Sequence, residues 1–217
     1  MIDLARYDAA VEDRERNWAA TDEALYYLCK RLPGHQSANA VNAKLSIIAR
    51  AYSTGIERKI ETPKQRRIGQ QDKALTKLAQ HVFKGRSKID AMINTLAAMS
   101  EPLTLDNLRI IVREHGRFVK MLRPLLIRGQ SSRSFVSKYL HFHAPLVPVY
   151  DSRAAAALRR LCPWRKDMRV FDMPAEAEKE YGRFAMRFWR LYEEARAARD
   201  NVTVKRLDYY LLKEYER

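Results

Sequence analysis

Apolar residues in this chain recur every three or four positions, the spacing of one face of an α-helix, and no stretch sustains the every-second alternation of a half-buried strand. Seven glycines in 217 residues leave little of the turn chemistry that a sheet protein needs. The pattern therefore predicts an all-α protein of about nine or ten helices with short connections. A hydrophobic fraction of 47 % and a charged fraction of 31 % fit a globular chain with a real core. The length suits either one domain over 1–217 or two helical subdomains with a pocket between them.

Start and stop signals divide the chain. Thr21 is a candidate cap for a helix carrying Leu25, Leu28 and Leu32, closed by Pro33-Gly34. Ser37 is a candidate cap for the next, with Val41, Leu45, Ile48 and Tyr52 on one face. Thr62-Pro63 reads as a helix start, followed by Leu75, Leu78, Val82 and Phe83 up to Gly85. Ile89, Met92, Ile93, Leu96 and Met99 mark another helix. Thr104 opens one through Leu105, Leu108, Ile111 and Val112 that is expected to stop near Gly116, with a short basic helix from Phe118 to Ile127 after it. Later come a helix from Asp151 broken by Pro163, a long one over 174–199 with Phe184, Phe188, Leu191 and Tyr192 inward, and a last one capped by Thr203 through Leu207, Tyr210 and Leu211. The basic stretch from Lys59 to Gln71 is expected to be a flexible loop.

Charge narrows the partner. The net charge is +15, and Lys and Arg are spread from Lys30 to Arg217 rather than gathered in a tail. Such an excess points to a polyanion, nucleic acid before a membrane surface. Two isolated cysteines, Cys29 and Cys162, offer neither zinc spacing nor a disulfide framework and are expected to be buried thiols. No metal or cofactor motif is found. Residues 1–20 are studded with Asp, Glu and Arg, and no run is long and apolar enough for a bilayer, so an intracellular, cytoplasmic protein with no membrane partner is expected.

One carboxylate stands apart. Asp151 follows the apolar run Leu146-Val147-Pro148-Val149-Tyr150 and precedes an Ala-rich helix. Pro148 holds Val147 extended, and Asp is a strong N-cap. The acid is therefore either a helix cap alone or a cap whose carboxylate also serves a site above the helix start.

The segment "IRGQSSRSFVSKYLHFHAPLVPVYDSRAAAALRRL", residues 127–161, resembles the helix-hairpin-helix superfamily of DNA glycosylases: a turn, a second helix, an apolar segment ending in Val-Pro, then Asp at a helix start. The turn departs from the family pattern, since only Gly129 stands where a Gly-hydrophobic-Gly hairpin is usual. The lysine that backbone-cleaving members carry just after the hairpin is replaced by Ser131, Ser132, Arg133 and Ser134, with Lys138 about one helical turn further on. The resemblance implies a monomeric, cofactor-free enzyme that flips a modified or damaged base out of double-stranded DNA. It would hydrolyse the N-glycosidic bond with Asp151 as the catalytic acid and without a Schiff-base step. A narrower likeness is to bacterial antiviral members that excise glucosylated hydroxymethylcytosine from phage DNA.

The chemistry fits a lone carboxylate. Breaking an N-glycosidic bond builds positive charge on the sugar, which an ionised acid stabilises while it orients or deprotonates water. On the hairpin side, Gly129 with Ser131, Ser132 and Ser134, and the cations Arg123, Arg128, Arg133 and Lys138, form a candidate phosphate contact. Tyr150 is a candidate to support the acid or stack on a base. In "HQSANAVNAKLSIIARAYSTGIER", Asn42 lies beside the apolar stripe ending at Tyr52, a pair suited to reading and stacking on a flipped base. His141 and His143 are two apart and cannot ligate one metal from one helix face; His143 is the one assigned to the base pocket. Trp164 is a candidate wedge or core residue. The rival reading is a helical nucleic-acid-binding protein without catalysis, in which Asp151 is only a cap.

Overall fold

The computed structural model describes residues 2–61, 71–164 and 171–216. Among them are ten α-helices, one 3-10 turn and no strand, as the periodicity requires. In chain order they are α1 (Leu4–Arg31), α2 (Ala38–Ala51), α3 (Ile56–Ile60), α4 (Gln71–Lys84), α5 (Arg86–Ala97) and α6 (Leu105–Leu122). After the turn Arg123–Leu125 come α7 (Arg133–His143), α8 (Ser152–Leu161), α9 (Lys179–Ala198) and α10 (Val204–Tyr215). Buried apolar residues from Ile2 to Leu211 form one continuous cluster. No helix among the described residues is long and apolar enough to cross a membrane.

Most expected faces are the buried ones: Val41, Leu45 and Ile48 on α2, Leu75, Leu78 and Val82 on α4, Phe184, Phe188, Leu191 and Tyr192 on α9, and Leu207, Tyr210 and Leu211 on α10. Ser37, Thr104 and Thr203 cap their helices, each accepting a first-turn amide on its hydroxyl. Both cysteines are buried free thiols. The Thr62-Pro63 start signal and most of the Lys59–Gln71 stretch lie outside the described residues; Lys59 itself belongs to α3.

Three boundaries differ from the sequence expectation. Thr21 caps nothing, because α1 begins at Leu4 with Asp3 as its cap and runs through Thr21. The stripe Tyr7, Val11, Leu25 and Cys29 continues across a middle section whose inward residues include the acid Asp22, which hides the period. Nor does Gly116 end a helix. Continuous α6 uses it to let another chain segment approach, since a Cβ there would lie 2.0 Å from the carbonyl oxygen of Glu176. The anticipated helix from Phe118 to Ile127 is the end of α6 plus the 3-10 turn. Finally, α9 starts at Lys179 with Glu178 as its cap, so 174–178 is the non-helical segment that lies against Gly116. Trp164 is 37 % exposed with the Arg187 guanidinium over its ring, hence no core residue.

Helix α7 is the axis on which the site is hung. Every residue from Phe135 to Phe142 is buried. The segment after it, 144–150, turns at 145–147, where the Val147 amide donates to the Ala144 carbonyl at 3.0 Å, and is pinned from both sides; Val147, expected to be extended before Pro148, lies in this turn. Ser137 Oγ accepts the Tyr150 amide at 2.9 Å, His141 Nδ1 donates to the Val147 carbonyl at 2.8 Å, and Tyr181 Oη donates to the Pro148 carbonyl at 2.9 Å. Glu178 ties α9 into the same assembly by accepting the Tyr181 amide at 2.7 Å and both Arg133 nitrogens at 2.6 and 3.0 Å.

Because Gly116 sits under the segment that delivers Glu178, Gly116→Ala is expected to cost about 2–3 kcal/mol through overpacking against backbone. For a chain of this size that lowers Tm by roughly 5–10 °C. Thermal unfolding followed by circular dichroism checks it; an unchanged Tm would show that the 174–178 segment lifts away without loss.

Candidate functional site

Asp151 is the N-cap of α8, and its Oδ1 accepts the Arg153 amide at 3.0 Å. Its other oxygen is engaged differently. Lys138, 3 % exposed on α7, donates from Nζ to Asp151 Oδ2 at 3.0 Å and to the Tyr52 carbonyl at 3.0 Å. The Arg153 guanidinium approaches Oδ1 at 3.3 Å. Burial alone raises the Asp151 carboxyl, but the Lys138 charge and hydrogen bond, with Arg153 behind them, outweigh it and hold the acid below the usual carboxylate range. The result is an ionised carboxylate kept 18 % exposed at the edge of a hollow.

Two hollows meet at Asp151. The first, about 460 Å3, is walled by one face of α1 (Arg14, Trp18, Asp22), the end of α2 (Tyr52), Lys138, and one face of α10 (Lys205, Asp208, Tyr209). The second, about 500 Å3, is lined by the hairpin turn (Gly129, Gln130, Ser131), by Arg58 and Lys59 from α3, by Arg133 and Ser134 from the start of α7, and by Tyr150. Asp151 and Ser53 belong to both. The two differ in character. The first contains four cations and four acids among its lining residues and three large aromatic rings, whereas the second holds three cations and hydroxyls with Asp151 as its one acid.

In the first hollow, Lys205 Nζ donates to the Tyr52 hydroxyl at 3.0 Å, pairs with Asp22 Oδ2 at 3.0 Å, and lies 5.1 Å from the Tyr52 and Tyr209 ring centroids. The Tyr209 hydroxyl donates to Asp22 at 2.5 Å. Burial lowers the Lys205 ammonium, but Asp208 and Asp22 more than reverse it, so it stays charged. Asp208 is 2 % exposed, and its Oδ1 has no hydrogen-bond partner.

In the second hollow, Gly129 takes φ +82° with open space where a Cβ would be, which turns the chain at the tip. The Gln130 amide closes the turn on the Ile127 carbonyl at 3.0 Å. Lys59 braces it by donating to the Ser131 carbonyl at 2.7 Å, and burial with the neighbouring charges of Arg133, Lys138 and Arg58 lowers its ammonium. Arg123 and Arg128 are exposed and outward.

Several expected site residues are placed otherwise. Lys138 is no phosphate contact but the buried partner of Asp151. Arg133 is committed to Glu178 and stacks 5.4 Å above Tyr150, so its charge is already matched. Ser132 is fully buried and cannot meet a phosphate, while Ser131 Oγ accepts the Arg133 amide at 3.2 Å; Ser134 does line the cleft. Asn42 points outward on α2, accepts the Ser46 hydroxyl at 3.4 Å, and lines neither hollow. His143 faces the far side of α7, with its Nε2 3.5 Å from buried Lys44 and its ring near His35 and Tyr139. Burial and the Lys44 charge keep His143 far below the ordinary imidazole range. Of the four expected base-pocket residues, Tyr52 and Tyr150 therefore stand beside Asp151, one on each side.

Asp22, Lys205, Asp208 and Tyr209 escaped the sequence reading. A signal for two of them was present: Asp22 lies three before Leu25, and Asp208 three before Leu211, so each acid falls on a helix's apolar face, where a charge without purpose is costly. Among the described residues no group of His, Cys, Asp and Glu is arranged to hold a metal ion. Comparisons with protein-family models, with curated proteins and with solved structures give no match for this chain.

Proposed function

We propose that this protein is a monofunctional DNA glycosylase acting on a modified or damaged base in double-stranded DNA, with Asp151 as its central catalytic group. The single observation that supports it most is the position of an ionised carboxylate at the junction of two unlike hollows. One is basic, rich in hydroxyls and closed by a glycine turn, as a phosphate backbone requires. The other is charge-balanced and aromatic, as an uncharged base taken out of the stack requires. The sugar of the extruded nucleotide then falls between them, beside Asp151, where developing positive charge on C1′ meets a negative charge. A non-catalytic DNA-binding protein accounts for the basic cleft and the cap, but not for a buried lysine spent on keeping the cap ionised.

In this reading Lys138 is a positioning residue. Its ammonium already donates to a carboxylate and a carbonyl, and its work is to hold Asp151 charged and oriented. The proposed partner is duplex DNA bound through the hairpin and the exposed Arg123 and Arg128. A phage-type glucosylated cytosine is the narrower candidate substrate, and the protein is proposed to act in the cytoplasm as a monomer.

Three outcomes test the reading. Asp151→Asn keeps an N-cap, so fold and duplex affinity should persist while base release falls by about 10²–10³-fold or more. Free-base release from genomic DNAs of differing modification, followed by alkaline cleavage at abasic sites, measures it; equal release by the variant would leave Asp151 as a cap.

Lys138→Gln removes the charge that lowers the Asp151 carboxyl. The acid limb of the pH–rate profile should then move to higher pH, because Asp151 is protonated earlier as pH falls. Sodium borohydride should trap no enzyme–DNA adduct with the wild type; a trapped adduct lost in Lys138→Gln would make the lysine a nucleophile instead.

Duplex affinity should fall steeply with salt. Arg128→Ala should flatten log Kd against log salt by about one counterion, and Arg133→Ala by less, since Glu178 already neutralises it. Equal slopes for wild type and Arg128→Ala would remove Arg128 from the interface.

A further inference from the structure

Asp208 shares the first hollow with Asp151 but lives in the opposite environment. It sits in the middle of α10, where no cap is needed, on the face that carries buried Val204 and Leu211. The ion pair of neighbouring Lys205 is made with Asp22 instead. Oδ1 of Asp208 is buried without a donor, a costly state for a carboxylate that protonation relieves.

The charges facing it come from four segments: Lys205 on its own helix, Asp22 on α1, Lys138 on α7, and Asp151 at the start of α8. Arg14 and Arg153 stand in the same walls. Burial is the largest influence, and with the opposing contributions of these neighbours it pushes the Asp208 carboxyl up to about 6. A ligand that displaces water from the hollow moves it further the same way. One cavity thus holds a carboxyl kept ionised and a carboxyl poised to be neutral, the division from which acid and base roles are read.

We propose that Asp208 is the second catalytic carboxyl of this site, the acid that protonates the departing base. The proposal rests on the glycosylase reading above. In the step it describes, the bond between C1′ and the base nitrogen breaks, and its electron pair passes to the base. The carboxyl proton of Asp208 moves to a ring atom of the base. Water adds its oxygen to C1′ and yields a proton to Asp151. Exchange with solvent then returns Asp151 to the carboxylate and Asp208 to the acid, so the products are the free base and an abasic sugar. The substrate class follows: a base that is neutral while attached, for which protonation makes a better leaving group.

The test is single-turnover release of whichever base the wild type liberates from the modified genomic DNAs, measured from pH 4.5 to pH 8.5 (about four units, bracketing the Asp208 carboxyl while Asp151 stays ionised). The wild type should lose rate on the alkaline side as Asp208 ionises. Asp208→Asn should be slower by about 10²-fold or more at pH 6, with that alkaline limb gone and duplex affinity unchanged. Asp208→Glu should recover part of the rate together with the limb.

Thermal unfolding separates folding from chemistry. The folded carboxyl lies above its unfolded value, so the native state binds the extra proton and wild-type stability falls as pH rises from about 4 to about 6, then levels. Asp208→Asn lacks this loss and should gain on the wild type across that interval. A variant that releases base at the wild-type rate, or is slowed with the alkaline limb intact, overturns the proposal and leaves the glycosylase reading standing. If the folded wild type releases no base from any of the DNAs, that reading falls, and this one with it.

Discussion

The contact between Lys138 and Asp151 is the constraint around which the rest is arranged. Taking an ammonium out of water costs several kcal/mol, and attraction to one carboxylate offsets it only when the remaining protons find acceptors as well. Lys138 meets that demand with two partners from different parts of the chain, the Tyr52 carbonyl at the end of α2 and the Asp151 carboxylate at the start of α8. Helix α7, buried along its length, supplies the rigid base from which the lysine reaches both. The segment 144–150 turns after the end of α7 and delivers Asp151 to the lysine. Its anchors are side chains of α7 itself, Ser137 and His141, with Tyr181 from α9 on the outer side.

That arrangement explains what could be seen from the sequence and what could not. The helix start at Asp151 is a local feature, and it stands where capping puts it, whereas Val147 before Pro148 closes a turn on Ala144 instead of lying extended. Helix faces on α2, α4, α9 and α10 were equally legible, because burial of a stripe repeats with the helical period. The other failures share one cause: contacts between segments distant in the chain. Gly116 reads as a stop until the 174–178 segment is laid over it. Lys138 reads as a surface cation because nothing in its neighbourhood announces the Tyr52 carbonyl. Arg133 reads as a phosphate ligand because Glu178 is 45 positions away. Asn42, chosen for lying beside an apolar stripe, illustrates the converse error, since a rim position on a helix looks outward or inward depending on a neighbour the sequence does not name.

The faces of α1 and α10 carry the same lesson further. Both bring acids into an otherwise apolar contact, Asp22 and Asp208, and both help wall the hollow at Asp151. Burying such groups opposes stability, and a chain selected for packing alone would have apolar residues there. Asp22 meets Lys205 and the Tyr209 hydroxyl through Oδ2, which ties α1 to α10, while its Oδ1 is buried without a partner. Asp208 likewise has its Oδ1 left over, and it is the acid of the two whose carboxyl burial pushes up to about 6.

Charge distribution completes the argument. A chain with a net charge of +15 attracts phosphates over much of its surface, and attraction alone does not orient a nucleotide. Orientation needs a region that phosphates avoid. The hollow beneath Asp151 is less attractive to them than the hairpin side: its four acids balance its four cations, and Lys138 and Lys205 are already paired. The hairpin side offers Arg58, Lys59 and the open Gly129 turn instead. On the proposed reading a nucleotide is therefore sorted by its own parts. The backbone is held where cations and turn geometry favour it, the uncharged base is admitted where they do not, and the bond between sugar and base is left lying across the one carboxylate that both hollows share.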